Sequence, residues 1–174
     1  MCYSEEEGLY LALASAPGMT CDRYEKLLER YESPGEIWDN ISLGNPDVAF
    51  LGQELITYLL AHKSPSYISE YINQLEEKGV KAVCRGMSDY PEALENIQNP
   101  PPVLYYKGDF SIAFSDCAIG IVGSHRCTYY AENTAARFAR ELAGQGLPII
   151  SGLARGIDTQ AHRGALEAMG NSEL

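Results

Sequence analysis

The residues of this chain best suited to hold an anion lie in two short glycine-containing loops, each with an arginine. The first reads Val122-Gly123-Ser124-His125-Arg126-Cys127-Thr128, and the second Ser151-Gly152-Leu153-Ala154-Arg155-Gly156-Ile157-Asp158. Gly123 lets the backbone approach a phosphate and Ser124 offers a hydroxyl proton. Arg126 adds a planar guanidinium fork that matches phosphate oxygens. Ser151, Gly152, Arg155 and Gly156 repeat the recipe, and Asp158 is placed to cap the helix that follows. His125 completes the first set as a weaker contact, because a histidine side chain carries little charge at neutral pH. The same residues also make ordinary turns, and Ser151 or Asp158 can serve only to satisfy free helix N–H groups. Repetition favours the anion site: two such loops follow consecutive strands.

The elements that must position these loops are a strand and a helix, twice over. Cys117-Ala118-Ile119-Gly120-Ile121-Val122 is a continuous apolar run, the pattern of a parallel strand buried on both faces, with Cys117 in the core. Tyr130 to Ala143 predicts an amphipathic helix with Ala135, Phe138, Ala139 and Leu142 inward, stopped by Gly144 and Gly146. Leu147-Pro148-Ile149-Ile150 is the second strand, and a last helix runs from Asp158 to about Met169. A βαβ crossover of this size opens a doubly wound sheet, whose ligands bind at the carboxyl ends of the strands. Gly170 to Leu174 supply no third strand, so the expectation is a truncated α/β domain, or one that completes its sheet with another chain.

Other chemistries find little support. The dinucleotide fingerprint GxGxxG and the GxxxxGK[ST] phosphate loop are both absent, and no acidic residue closes the second strand to hold a ribose. His162 lies one turn into the last helix, where a structural role outweighs a catalytic one, and Asp158 with His162 forms an i, i+4 helix-face pair. No carboxylate pair or Ser/His/Asp set is spaced for hydrolysis, so no catalytic residue is assigned. The five cysteines (Cys2, Cys21, Cys84, Cys117, Cys127) are scattered without a CxxC pair, which reads as reduced thiols with no metal site. Tyr129-Tyr130 offers a stacking face to a nucleobase, with one ring of the two expected in the core.

The first hundred residues differ in character. Helical periodicity runs through Tyr24, Leu27, Leu28 and Tyr31, a third helix starts at Pro34, and Leu51–Leu60 and Tyr67–Lys78 predict two more, the latter capped by Gly79. Val80–Cys84 and Val103–Tyr106 read as strands. Pro100-Pro101-Pro102 predicts a rigid polyproline spacer. The expected organisation is therefore a small helical domain over 1–62, a connecting helix and strands over 63–109, and the start of a Rossmann-like parallel βαβα core over 110–174. The fold class is α/β, with that core incomplete.

Net charge is −11, but it is unevenly spread: residues 1–100 hold 7 Lys+Arg against 17 Asp+Glu, and residues 101–174 hold 6 against 7. Extensive nonspecific DNA binding is disfavoured, while a small basic site in the last third survives. The acidic start lacks the basic region of a signal peptide, and no apolar run approaches a membrane span, so a cytoplasmic protein without membrane contact is expected.

Tyr90-Pro91-Glu92-Ala93-Leu94, Pro100 to Tyr105 with Gly108-Asp109, Ile121-Val122-Gly123-Ser124 with Thr128 and Tyr130, and Ser151 to Asp158 with Ala161-His162 and Gly164-Ala165-Leu166 together resemble the DNA-processing protein A (DprA/Smf) family. The resemblance extends more loosely over the N-terminal helices, where Ala16-Pro17-Gly18 stands at a helix-hairpin-helix-like (or SAM-like) turn. It implies a non-catalytic, cofactor-free protein that binds single-stranded DNA, dimerises at full length, and hands the strand to a RecA-type recombinase during natural transformation in competent cells. The DNA phosphate contacts it implies are Gly123, Ser124, Ser151, Gly152, Arg155, Gly156 and Asp158, with His125 standing where the family has arginine and Arg126 one place later. Two other readings remain open: a nucleoside-monophosphate-binding hydrolase resembling the lysine-decarboxylase-like phosphoribohydrolases, and an interaction module acting through its acidic helices.

Overall fold

The computed structural model describes residues 3–111 and 117–170, and the chain divides into two compact units, residues 1–110 and 111–174. Expectations placed on residues 171–174 lie outside the described residues.

The first unit opens with α1 (Glu5–Ala14), α2 (Cys21–Arg30) and α3 (Pro34–Asn40). Each begins at a hydroxyl residue whose oxygen accepts from a first-turn N–H: Ser4, Thr20 and Ser33. Ser4 and Glu7 form a reciprocal capping box, which satisfies two otherwise free donors. A 3-10 turn at Pro46–Leu51 leads into α4 (Gln53–Ala61) and α5 (Pro65–Glu77). Gly79 ends α5 with φ +60, while Val80 N–H donates to Leu75 C=O and Gly79 N–H to Glu76 C=O, the paired bonds of a glycine C-cap. Strands β1 (Lys81–Cys84) and β2 (Val103–Tyr106) pair antiparallel, with Cys84 opposite Val103. A single turn of helix, α6 (Glu92–Glu95), lies between them.

The expected boundary at residue 62 does not divide two cores. Leu75, Ala82 and Cys84 belong to the same buried cluster as Leu11, Tyr24, Leu27, Ile37 and Trp38. The proline stretch is likewise tied down rather than free-standing: Tyr90 hydroxyl donates to Pro101 C=O at 2.9 Å, and Arg85 N–H to Pro102 C=O at 3.1 Å. The partly buried Arg85 side chain bridges Glu95 at 2.7 Å and Glu25 at 3.2 Å, and Tyr24 hydroxyl donates to the Arg85 carbonyl. Burial raises the Tyr24 phenol and the Cys84 thiol well above their ordinary pKa values, so both stay neutral in this core.

The second unit holds β3 (Ile119–Gly120), α7 (Tyr129–Ala143), β4 (Ile149–Ile150) and α8 (Ile157–Ala168). The two strands pair in parallel, Ile119 with Ile149 and Gly120 with Ile150, giving the expected βαβα order. Thr128 caps α7 through its hydroxyl, and Gly146, with φ +83, supplies the left-handed residue after it. The most extensive packing joins α7 to α8 through small residues. Ala135, Ala139, Ala161 and Gly164 are buried, and a Cβ added at Gly164 would stand 2.1 Å from the Ala136 carbonyl oxygen.

Three expectations for this unit change. The strand at 117–122 is not buried on both faces: Cys117, Ile119, Ile150 and Val122 are exposed, because two helices against two short strands leave much of the apolar sequence open. Phe138 is half exposed, not inward. Both Tyr129 and Tyr130 are 80% exposed, so neither ring is core. Among the described residues no helix is long and apolar enough to cross a membrane.

Candidate nucleic-acid interface

The two glycine loops meet at the carboxyl ends of β3 and β4. Ser151 hydroxyl donates to Ile121 C=O at 2.7 Å, which ties the strand ends together. Ile157 N–H donates to Ser124 C=O at 3.3 Å. Gly156 has φ +84, and a Cβ there would fall 2.3 Å from the Ser124 carbonyl oxygen and 2.8 Å from that of His125. Glycine at 156 therefore has two physical reasons: a left-handed backbone, and contact with the neighbouring loop. Gly123 is required for a similar closeness, since its Cβ would meet the Ile157 side chain at 2.7 Å.

Asp158 does not play the expected part. The N-cap of α8 is Gly156, and Asp158 sits within the first turn, 6% exposed. Its Oδ1 accepts from Gly123 N–H at 3.3 Å and its Oδ2 from Gly152 N–H at 3.1 Å. A carboxylate inside the first turn of a helix is favoured by the helix dipole, and here it also joins the two loops. Gly123, Gly152 and Asp158 thus satisfy one another. The two backbone donors expected to face a phosphate are taken, and an acidic side chain at this place repels one. Ser124 is also engaged locally: its hydroxyl donates to Arg126 C=O and accepts from Arg126 N–H.

The outward-facing groups are the cations and the rings. His125, Arg126 and Arg155 are exposed. In this unit Arg137 faces Glu141 at 3.9 Å and Arg140 faces Glu167 at 3.1 Å. Arg126, Arg155 and Arg163 have no carboxylate partner among the described residues. Tyr129 and Tyr130 open α7 directly after the first loop. The backbone of the second loop also holds a feature that the sequence did not signal: Leu153 has φ +55 and is 76% exposed, a conformation unusual for a residue with a branched side chain. Thr159 hydroxyl steadies that loop by donating to Ala154 C=O at 2.7 Å. His162 lines a cavity of about 440 Å³ between α7, β4 and α8, and its buried Nε2 has no hydrogen-bond partner among the described residues. Among the described residues no cluster of three or more His, Cys, Asp or Glu is arranged to hold a metal ion.

The second unit is thus a parallel βαβα unit of the α/β class, with two strand-end loops locked together and arginines facing outward. The chain belongs to the DNA recombination-mediator protein A family, whose model matches residues 81–172. It is 26% identical over 172 residues to Protein Smf of Synechocystis sp., covering 97% of this chain and 43% of that protein. It is 33% identical over 110 residues to DNA processing protein DprA of Bacillus subtilis, covering 63% of this chain and 36% of the relative. The crystal structure of DNA processing protein A from Streptococcus pneumoniae superposes with a TM-score of 0.63 at 25% identity, over 97% of this chain and 56% of that one. The chain spans less than half the length of these curated relatives.

Proposed function

We propose that this chain binds single-stranded DNA through the rim of its two strand-end loops, as part of a recombination mediator that hands the strand to a RecA-type recombinase. One observation carries the reading: Arg126 and Arg155 stand exposed, without a carboxylate partner among the described residues, on loops whose backbones touch, beside the exposed rings of Tyr129 and Tyr130. Guanidinium groups can seat backbone phosphates without reading bases, and aromatic rings stack on any base, so the combination suits a strand of arbitrary sequence. Duplex DNA keeps its bases stacked inside and cannot offer them to the tyrosines. Membership of a DNA recombination-mediator family supports the setting, and natural transformation in the cytoplasm of competent cells, with a homodimer at full length, is the context proposed for it. The role is one of binding, with no catalytic step and no cofactor.

Anisotropy titration of a labelled oligo-dT strand with Arg155→Ala is the test. Removing one charge-assisted phosphate contact costs about 1.5 kcal/mol, so affinity is expected to fall roughly tenfold with the melting temperature unchanged. Equal affinity in the variant removes the second loop from the interface.

A further inference from the structure

The geometry points to the Asp158 carboxylate as a built-in counter-ion that fills the anion seat between the two glycine loops and closes it to a free or terminal phosphate. In an α/β sheet the N–H groups just past the strand ends, next to a helix N-terminus, are where a ligand phosphate ordinarily lodges. Here the two inner donors, Gly123 N–H and Gly152 N–H, point at opposite oxygens of one carboxylate at 3.3 and 3.1 Å. Those bonds leave both carboxylate oxygens engaged, and the side chain is 6% exposed. A phosphate entering the same place would have to displace a buried anion that has no other partner among the described residues, or lie against it. Either course costs more than remaining in water.

The arrangement separates two kinds of anionic ligand. A mononucleotide or inorganic phosphate needs the deep seat, because it has one phosphate and must gain most of its affinity there. A polynucleotide does not, because its phosphates are many and can be met singly at the rim by Arg126 and Arg155. Asp158 is thus a specificity-determining residue: it sets the loops against small phosphates while holding both in one fixed placement. The packing around it is made for the carboxylate. A Cβ at Gly152 would come within 2.9 Å of Asp158 Oδ2, so even alanine there would push the carboxylate off its bonds. The exclusion of a small phosphate stands whether or not the rim binds DNA, so its test is independent of that reading.

The experiment follows the backbone amide resonances of Gly123 and Gly152 in the isotope-labelled full chain as inorganic phosphate is added. In the natural protein neither is expected to shift in a saturable way. In Asp158→Ser the carboxylate is gone, both donors are released, and both resonances are expected to move to saturation with phosphate bound about tenfold more tightly or better. Asp158→Asn, which keeps the shape and one accepting oxygen, is expected to show a smaller tightening of the same sign, and it replaces the serine variant if serine costs the fold. Saturable shifts in the natural protein matching those of the variants overturn the inference. So does a folded variant whose two glycine amides ignore phosphate.

Discussion

Gly164→Ala is expected to destabilise the α7–α8 pair by about 2 kcal/mol or more, although alanine is the better helix former. Propensity alone would favour alanine by roughly 1 kcal/mol within a helix. The steric term opposes it and is larger, because the new methyl would sit 2.1 Å from the Ala136 carbonyl oxygen, 2.8 Å from its carbon and 3.0 Å from its Cα. All three are backbone atoms, so no side-chain rotation relieves the clash and the helices must part. Overpacking of this kind costs about 1–3 kcal/mol, and more when backbone must move. Ala135, Ala139 and Ala161 would lose their contacts together, in a unit whose two short strands offer little else. Hydrogen exchange should therefore quicken about thirtyfold across 129–168. Gly120→Ala is the control: nothing lies within 4 Å of its added Cβ, and exchange should be unaltered. Unchanged protection in Gly164→Ala would mean that the two helices do not approach as described.

Replacing Tyr129 and Tyr130 together by alanine should reduce single-strand affinity by a hundredfold or so while leaving stability nearly untouched. Base stacking on an aromatic side chain is worth roughly 1–3 kcal/mol per base, so losing two rings removes about 2–6 kcal/mol. At 80% exposure neither ring holds the core, and substitutions at such positions change stability by about 0.5 kcal/mol at most. Affinity and melting temperature measured side by side separate the two effects. A fall in melting temperature with affinity retained would assign the rings to packing instead.

The left-handed glycine at 79 depends on local chemistry, and local chemistry of that kind is legible in a string of letters. The βαβα order was legible for the same reason, since glycines and prolines punctuate it. What periodicity does not give is which apolar residues a neighbour actually covers. Phe138 shares a periodic pattern with Ala135 and Ala139, yet α8 approaches α7 at Ala136, and position 138 lies roughly 200° around the helix from there. Close approach through Gly164 leaves room only for small side chains on the buried line. The helix and two strands over residues 63–109 were legible, but their attachment to the helical core was not: proline marks stiffness, not attachment, and the bonds to Pro101 and Pro102 join residues distant in pattern.

All nine residues that the sequence assigns to phosphate contact fall in the two strand-end loops, but the sequence could not say which way they face. Arg126, Arg155 and His125 remain outward. Asp158 turned out to bind the protein's own N–H groups, a pairing across 35 positions from Gly123 that no local motif announces. Glycine at 156 reads in the sequence as part of a second phosphate-binding recipe, whereas its backbone is pressed against the first loop.

The central claim is that the loop rim holds a DNA strand by its phosphates through Arg126 and Arg155. The most direct test is the salt dependence of oligo-dT affinity, taken for the natural protein and for the double variant Arg126→Ala with Arg155→Ala. Each phosphate neutralised on a single strand contributes about 0.7 to the slope of log affinity against log salt. The account predicts a slope shallower by about 1.4 in the double variant, with weaker binding at every salt concentration. Identical slopes, or a folded natural protein that leaves the strand free at low salt, would contradict it.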